Sequence, residues 1–159
     1  MDSRETYTIL TEMSSAILAD GNNLKARAEG YSMYPFIKPG SIVTLAPVNE
    51  ETILSPGDII AWKREAGFVM HRLASITRTS EGDIYITRGD SCINFDIPVT
   101  RSLISGKVIT IEDRKGRIRK GDELIVRPFH KWNRARIWLL FKIRRLLTIF
   151  GVRRAGNEK

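Results

Sequence analysis

Between residues 24 and 127 the chain breaks into short runs rich in β-branched residues: LKARAEG, SIVTLAPV, DIIAWKR, GFVMHRLASIT, DIYITRGD, LISGKVITIE and ELIVRP. Turn signals such as Pro39-Gly40, Pro56-Gly57, Glu81-Gly82-Asp83 and Lys115-Gly116 separate them. β-Branched side chains suit a pleated surface, and these Pro and Gly pairs take the dihedrals that turns require. Parallel strands need a crossover of about a dozen residues or more, usually a helix. No segment between these runs is helical over that length, so the strands must pair mainly antiparallel. The expected fold is mainly β, a coiled antiparallel sheet or a small barrel.

The two ends read differently. In YTILTEMSSAILADG, Ile9, Met13, Ile17 and Leu18 recur at helical spacing and Asp20-Gly21 stops the pattern, which predicts a short helix over 5–20. Beyond Pro128, Leu139, Leu140, Ile143, Leu146, Leu147 and Phe150 form one stripe at 100° per residue, with Lys142, Arg144, Arg145 and Thr148 opposite. With 159 residues the chain buries one sizeable core. The expected organisation is an N-terminal helix at 1–23, a β domain at 24–127, and a basic amphipathic C-terminal helix and tail at 128–159.

Charge follows the same division. Residues 1–113 hold 11 Lys/Arg and 15 Asp/Glu, a net of −4, whereas residues 114–154 hold 14 Lys/Arg against Asp122 and Glu123, a net of +12. A tail so charged seeks phosphate, on nucleic acid or on anionic lipid. A continuous apolar stripe would be wasted on a phosphate backbone but suits a membrane interface, as do Trp132 and Trp138 at its start. Residues 132–154 are therefore expected to meet an anionic membrane surface, with packing on the sheet or on a partner chain as the alternative. No secretory signal and no run of about 20 uncharged apolar residues is visible, so the expected location is cytoplasmic or peripheral on the cytoplasmic face of the membrane. The single cysteine, Cys92, cannot form an internal disulfide, and no Cys/His cluster offers a zinc site. No metal or other cofactor is expected.

The chemistry concentrates in three places. EGYSMYPFIKPG sets Ser32 among Tyr31, Met33, Tyr34 and Phe36, which describes either a packed corner or a substrate cleft. A serine hydroxyl becomes a nucleophile only when a base takes its proton. Of the two histidines, His130 lies in the basic segment RPFHKW and His71 in the strand-like FVMHRLASI. TRGDSCINFD then supplies Asp90 and Asp96, either of which is suited to orient an imidazole; a Gly-Asp pair is also an ordinary turn.

Taken in order, Gly30 to Pro35, SPGDIIAW, VMHRL, TRGDSCINFD and ISGKVITIE resemble the boxes of the signal peptidase I family over about residues 26–112. The likeness is to the endoplasmic reticulum and archaeal branch, which uses histidine where bacterial enzymes use lysine. It implies a serine endopeptidase acting on a peptide or protein precursor, with Ser32 as nucleophile, His71 as general base, Asp96 as the family's final aspartate and Asp90 as a supporting carboxylate. Tyr31, Met33, Tyr34 and Phe36 would wall the substrate cleft, and the Ser32 N–H would face the oxyanion. The pattern departs from the family at Gly30, which offers no side-chain oxyanion donor, and at Ser91-Cys92, where the branch has two asparagines.

The LexA-type self-cleaving repressors share this sheet and pair serine with lysine. Lys63 would be the candidate base, but its place beside Arg64-Glu65 reads as a solvated strand end. The competing functional class is a non-catalytic binding module on the same fold, held to a membrane or to nucleic acid by its basic tail.

Overall fold

The computed structural model describes residues 3–64, 67–125 and 139. The chain divides into two units, Met1–Arg127 and Pro128–Lys159. The expected C-terminal helix falls outside the described residues, apart from Leu139, which is helical and half exposed.

The first unit opens with helix α1, Ser3–Ala19. It ends where the sequence says it should, with Gly21 at a φ of 82° donating to the Leu18 carbonyl at 3.1 Å and Asn22 donating to that of Ile17 at 3.1 Å. A left-handed residue just past a helix, for which glycine carries no Cβ penalty, is the usual way to satisfy its last carbonyls. Leu18 is buried in the core, while Met13 and Ile17 point to solvent.

Eight strands follow: β1 Leu24–Arg27, β2 Ile42–Pro47, β3 Ile59–Arg64, β4 Gly67–Thr79, β5 Gly82–Arg88, β6 Val99–Thr100, β7 Ile104–Glu112 and β8 Ile118–Lys120. They form a single sheet in the order β1-β2-β7-β3-β4-β5-β6, and every pairing is antiparallel. β7 pairs with β2 along one edge and shares its other edge between β3, at Ile104 to Lys107, and β8, at Thr110 to Glu112. β1 and β6 are not joined to each other, so the sheet stays open and the small barrel is not formed.

β3 shows why the sheet needs cover on both faces. Ile59, Ile60, Ala61 and Trp62 are all buried, and because side chains alternate across a strand they feed two separate cores. Ile59 and Ala61 join Val43, Leu45, Val108 and Ile111 under α1 residue Leu18 and the Ser32 loop. Ile60 and Trp62 join Leu73, Tyr85, Val99 and Ile104 on the other side.

The run ELIVRP does not open as a strand: Glu123 and Leu124 belong to the 3₁₀ turn Gly121–Leu124, Ile125 has no strand pairing, and residues 126–128 lie outside the described residues. Gly121-Asp122 breaks the extension that Ile118–Lys120 begins, and the turn drives Leu124 into the core, where its carbonyl accepts from Arg72.

Candidate active site

The segment between β1 and β2 is a loop closed at its neck, where Ala28 N–H donates to Ser41 O at 2.9 Å and Gly40 N–H to Ala28 O at 2.6 Å. Met33 and Ile37 anchor it by burial, and Ile37 N–H donates to Met33 O at 2.9 Å. Ser32 is the second residue of a turn in which Tyr34 N–H donates to Tyr31 O at 2.9 Å. Met33 and Ile37 thus fix the loop, whose Tyr34–Pro35 peptide bond is cis, while Tyr31 and Tyr34 stay exposed.

β4 and β5 build the opposing wall. Leu73 pairs with Thr87, and His71, two residues earlier, stands on the same face as Leu73. Asp96 folds back over that face: its N–H donates to Thr87 O at 2.9 Å, while its Oδ2 accepts from Thr87 Oγ1 at 2.6 Å and lies 2.6 Å from His71 Nδ1. Burial opposes a charge on Asp96, but hydrogen bonds from His71 and Thr87, and the charges of His71 and Arg64, outweigh it and hold the carboxyl below its usual range. An ionised carboxylate only accepts, so Nδ1 is the ring nitrogen that donates to Asp96, and in the neutral ring the lone pair is then at Nε2.

That Nε2 faces the serine loop across Gly89. A Cβ on Gly89 would lie 2.7 Å from Ser32 O and 3.1 Å from His71 Nε2, so those two atoms are separated by no more than the sum of these distances. The loop after β5 also grips the backbone of the serine loop. Ser91 N–H donates to Ser32 O at 2.8 Å, and Ser91 Oγ reaches Ser32 O at 3.0 Å and Tyr31 O at 2.7 Å. Among the described residues, neither Ser32 Oγ nor His71 Nε2 is engaged in a hydrogen bond, and the Ser32 N–H makes no backbone bond. Ser32 and His71 both line one cleft.

Asp90 goes elsewhere. Arg72, next to His71, points to the other face of β4, and its Nε and Nη2 clasp Asp90 Oδ1 and Oδ2 at 2.8 Å each. Its Nη1 donates to the carbonyls of Gly57 and Leu124, both at 2.8 Å, and its guanidinium lies 4.6 Å from the centre of the Phe36 ring. One side chain thereby ties together the SPGD turn, the Gly-Asp loop, the 3₁₀ turn and the serine loop. Adjacent strand residues face opposite ways, which is why His71 and Arg72 take different aspartates.

A cleft of 610 Å³ runs past Ser32 and His71 over the apolar side chains of Met33, Val43, Leu45 and Phe68, with Thr11 of α1 at its border. Met33 lines it, but Tyr31 and Tyr34 line a second groove of 320 Å³ on the other side of the loop. Phe36 is held between Arg72 and Arg119, whose guanidinium lies 4.4 Å from the ring centre and also donates to the Phe36 carbonyl. Lys63 is exposed at the end of β3. Lys107, on β7, is paired at 2.8 Å with the buried Asp58 of the SPGD turn.

Sequence reasoning gave Thr87, Gly89 and Ser91 no place in the site. The first two lie in or beside a strand and look like ordinary β and turn residues; only their partners, remote in sequence, give them a role. Among the described residues no cluster of His, Cys, Asp and Glu is suited to a metal ion, and no helix is long and apolar enough to cross a membrane. No protein-family model, no curated protein and no solved structure matches the chain.

Proposed function

We propose that the chain is a serine endopeptidase of signal-peptidase-like type, in which Ser32 attacks and His71, oriented by Asp96, moves the proton. The observation that carries this reading is the 2.6 Å contact of His71 Nδ1 with an Asp96 carboxylate, which leaves Nε2 free beside the Ser32 loop. Ser32 Oγ bonds to the scissile carbonyl carbon as its proton passes to His71 Nε2. In this mechanism the Ser32 N–H donates to the developing oxyanion, a contact of the kind worth about 3 kcal/mol. The C–N bond then breaks as His71 returns the proton to the leaving amine. Water repeats the sequence on the acyl-enzyme, losing its proton to Nε2 and releasing the new carboxyl terminus and the serine hydroxyl.

The substrate is a peptide or protein precursor bound along the apolar cleft. The basic, amphipathic segment 132–154 holds the enzyme at an anionic membrane surface, on the cytoplasmic side. Lys63 is a poor alternative base, because it is exposed at the end of β3 and does not line the cleft that holds Ser32 and His71.

The test is covalent. A serine-directed acylating probe should label the purified protein at Ser32, and both Ser32→Ala and His71→Ala should abolish labelling while leaving the fold intact. Labelling at another residue, or undiminished labelling in the His71→Ala protein, overturns the assignment.

A further inference from the structure

The groove on the far side of the Ser32 loop is unlike the cleft. It is walled by Tyr31 and Tyr34, 71% and 46% exposed, and by Lys38, and it is closed by the turn between β7 and β8 carrying Arg114 and Lys115. Its one carboxylate, Asp113, is already taken. Asp113 Oδ2 accepts from Arg117 at 2.6 and 2.8 Å, and Oδ1 accepts the N–H groups of Lys115 and Arg117 at 2.8 and 3.0 Å. These bonds hold the Asp113 carboxyl down to about 2, so it stays ionised and neutralises Arg117. Lys38, Arg114 and Lys115 are left with no carboxylate partner among the described residues. The Arg114 guanidinium lies over Gly40, where a Cβ would come within 2.5 Å of its Nε, so the close approach at the loop's base keeps it beside the groove.

Three unpaired cations flanked by two exposed phenol rings make a receptor for carboxylates on a flexible chain. The rings cover the backbone and aliphatic stems, and the cations take the charges. The position of the groove says which chain. Tyr31 is covalently next to Ser32, and an extended peptide advances about 3.3 Å per residue. A substrate held at Ser32 therefore reaches the groove within a few residues of its scissile bond.

We propose that this groove is a specificity site for acidic residues of the peptide substrate, so that the preferred substrates carry a short run of Asp or Glu beside the cleaved bond. The inference rests on the endopeptidase reading but is tested apart from hydrolysis. Full-length Ser32→Ala protein is titrated with short fluorescent peptides that carry glutamate, serine or lysine runs beside a central pair of alanines, and binding is followed by anisotropy. The glutamate peptide should bind best, and the Lys38→Gln, Arg114→Gln, Lys115→Gln protein should bind it roughly tenfold more weakly, as three exposed ion pairs would lose. The C-terminal tail is common to both proteins and cancels. The corresponding triple glutamate variant should instead favour the lysine peptide, a gain that misfolding would not produce.

Equal affinity of the wild-type and triple-glutamine groove for the glutamate peptide overturns the proposal. So does loss of affinity for phosphatidylserine vesicles alone, which would make the groove a lipid site. If acidic peptides bind as expected but the wild-type Ser32 protein never cleaves them or takes the acylating probe, the groove stands and the endopeptidase reading falls. Cleavage that ignores the acidic run leaves the enzyme standing and removes the groove's role.

Discussion

Asp96 Oδ2 accepts from both His71 Nδ1 and Thr87 Oγ1, each at 2.6 Å, so one carboxylate oxygen joins the imidazole on β4 to a buried hydroxyl on β5. The strands fix the distance between the two donors, and the carboxylate fixes the ring. Asp96→Asn should keep the fold but offer an amide N–H where an acceptor is needed, favouring the other imidazole tautomer. The acylation rate should fall by about 10³- to 10⁴-fold with little change in peptide affinity. Rapid-mixing kinetics with the acylating probe would measure this, and a loss of under tenfold would remove Asp96 from the proton path.

The same carboxylate predicts a pH dependence of stability. Because the folded protein holds Asp96 below its ordinary range, the group favours folding at pH values above its unfolded value, near 4, and that contribution disappears as pH falls through the lower folded value. Urea midpoints should therefore decline on acidification below about pH 4, and less steeply in the Asp96→Asn protein. Parallel curves for the two proteins would contradict the shift.

Arg72 and Asp90 should matter to the fold rather than to the chemistry. Their side chains are only 6% and 12% exposed, and Asp90→Ala leaves a buried guanidinium without its counter-ion, at a cost of about 3–5 kcal/mol. Replacing both, as Arg72→Met with Asp90→Leu, should cost less than the sum of the single changes, because no charge is stranded. Denaturant unfolding of the four proteins gives the coupling, and additive losses would show that the pair is not a unit.

The fold was legible where local chemistry decides it. Short β-branched runs between Pro-Gly, Gly-Asp and Lys-Gly signals gave antiparallel strands, and Asp20-Gly21 marked the end of α1. Closure was not legible, because whether β1 meets β6 depends on twist and register summed over the whole sheet. In ELIVRP the β-branched content spoke for a strand, whereas Gly121-Asp122 just before it start the 3₁₀ turn that takes in Glu123 and Leu124. At the site, the residue types at 32, 71, 90 and 96 could be singled out, but which aspartate meets the histidine follows from the strand faces of His71 and Arg72. Tyr31 and Tyr34 were grouped with Met33 by proximity in sequence, whereas a tight turn sends neighbours to opposite sides of a loop.

Gly89 is a position where one methyl group should undo the site. A Cβ there meets Ser32 O at 2.7 Å, which is backbone and cannot rotate away, as well as Cys92 Sγ at 2.7 Å and His71 Nε2 at 3.1 Å. Gly89→Ala should destabilise the protein by about 1–3 kcal/mol and slow acylation of Ser32 well beyond what that loss explains. Measuring both on the same sample separates them, and normal labelling in a stably folded Gly89→Ala protein would show that the loop yields freely.

Cys92 offers a chemical probe of the same contact. Its Sγ abuts the point shared by the Ser32 carbonyl and the His71 ring. Burial, and then the negative charge of Asp96, push the thiol above its ordinary value against smaller opposing contributions from Gly89, Arg88 and Ser91. Little thiolate is therefore present at neutral pH, and the thiolate is the species that reacts. Alkylation by iodoacetamide should be slow near pH 7 and accelerate through alkaline pH, beyond the range of a free cysteine in a peptide. Once attached, the carboxamidomethyl group stands beside the Ser32 loop and His71, so acylation of Ser32 should fall in step with thiol modification. Cys92→Ala should remove this sensitivity and keep acylation within a few fold of the unmodified protein, because the thiol only fills space there. Rapid alkylation at neutral pH would contradict the raised thiol, and full activity in the alkylated protein would place Cys92 away from the reacting groups.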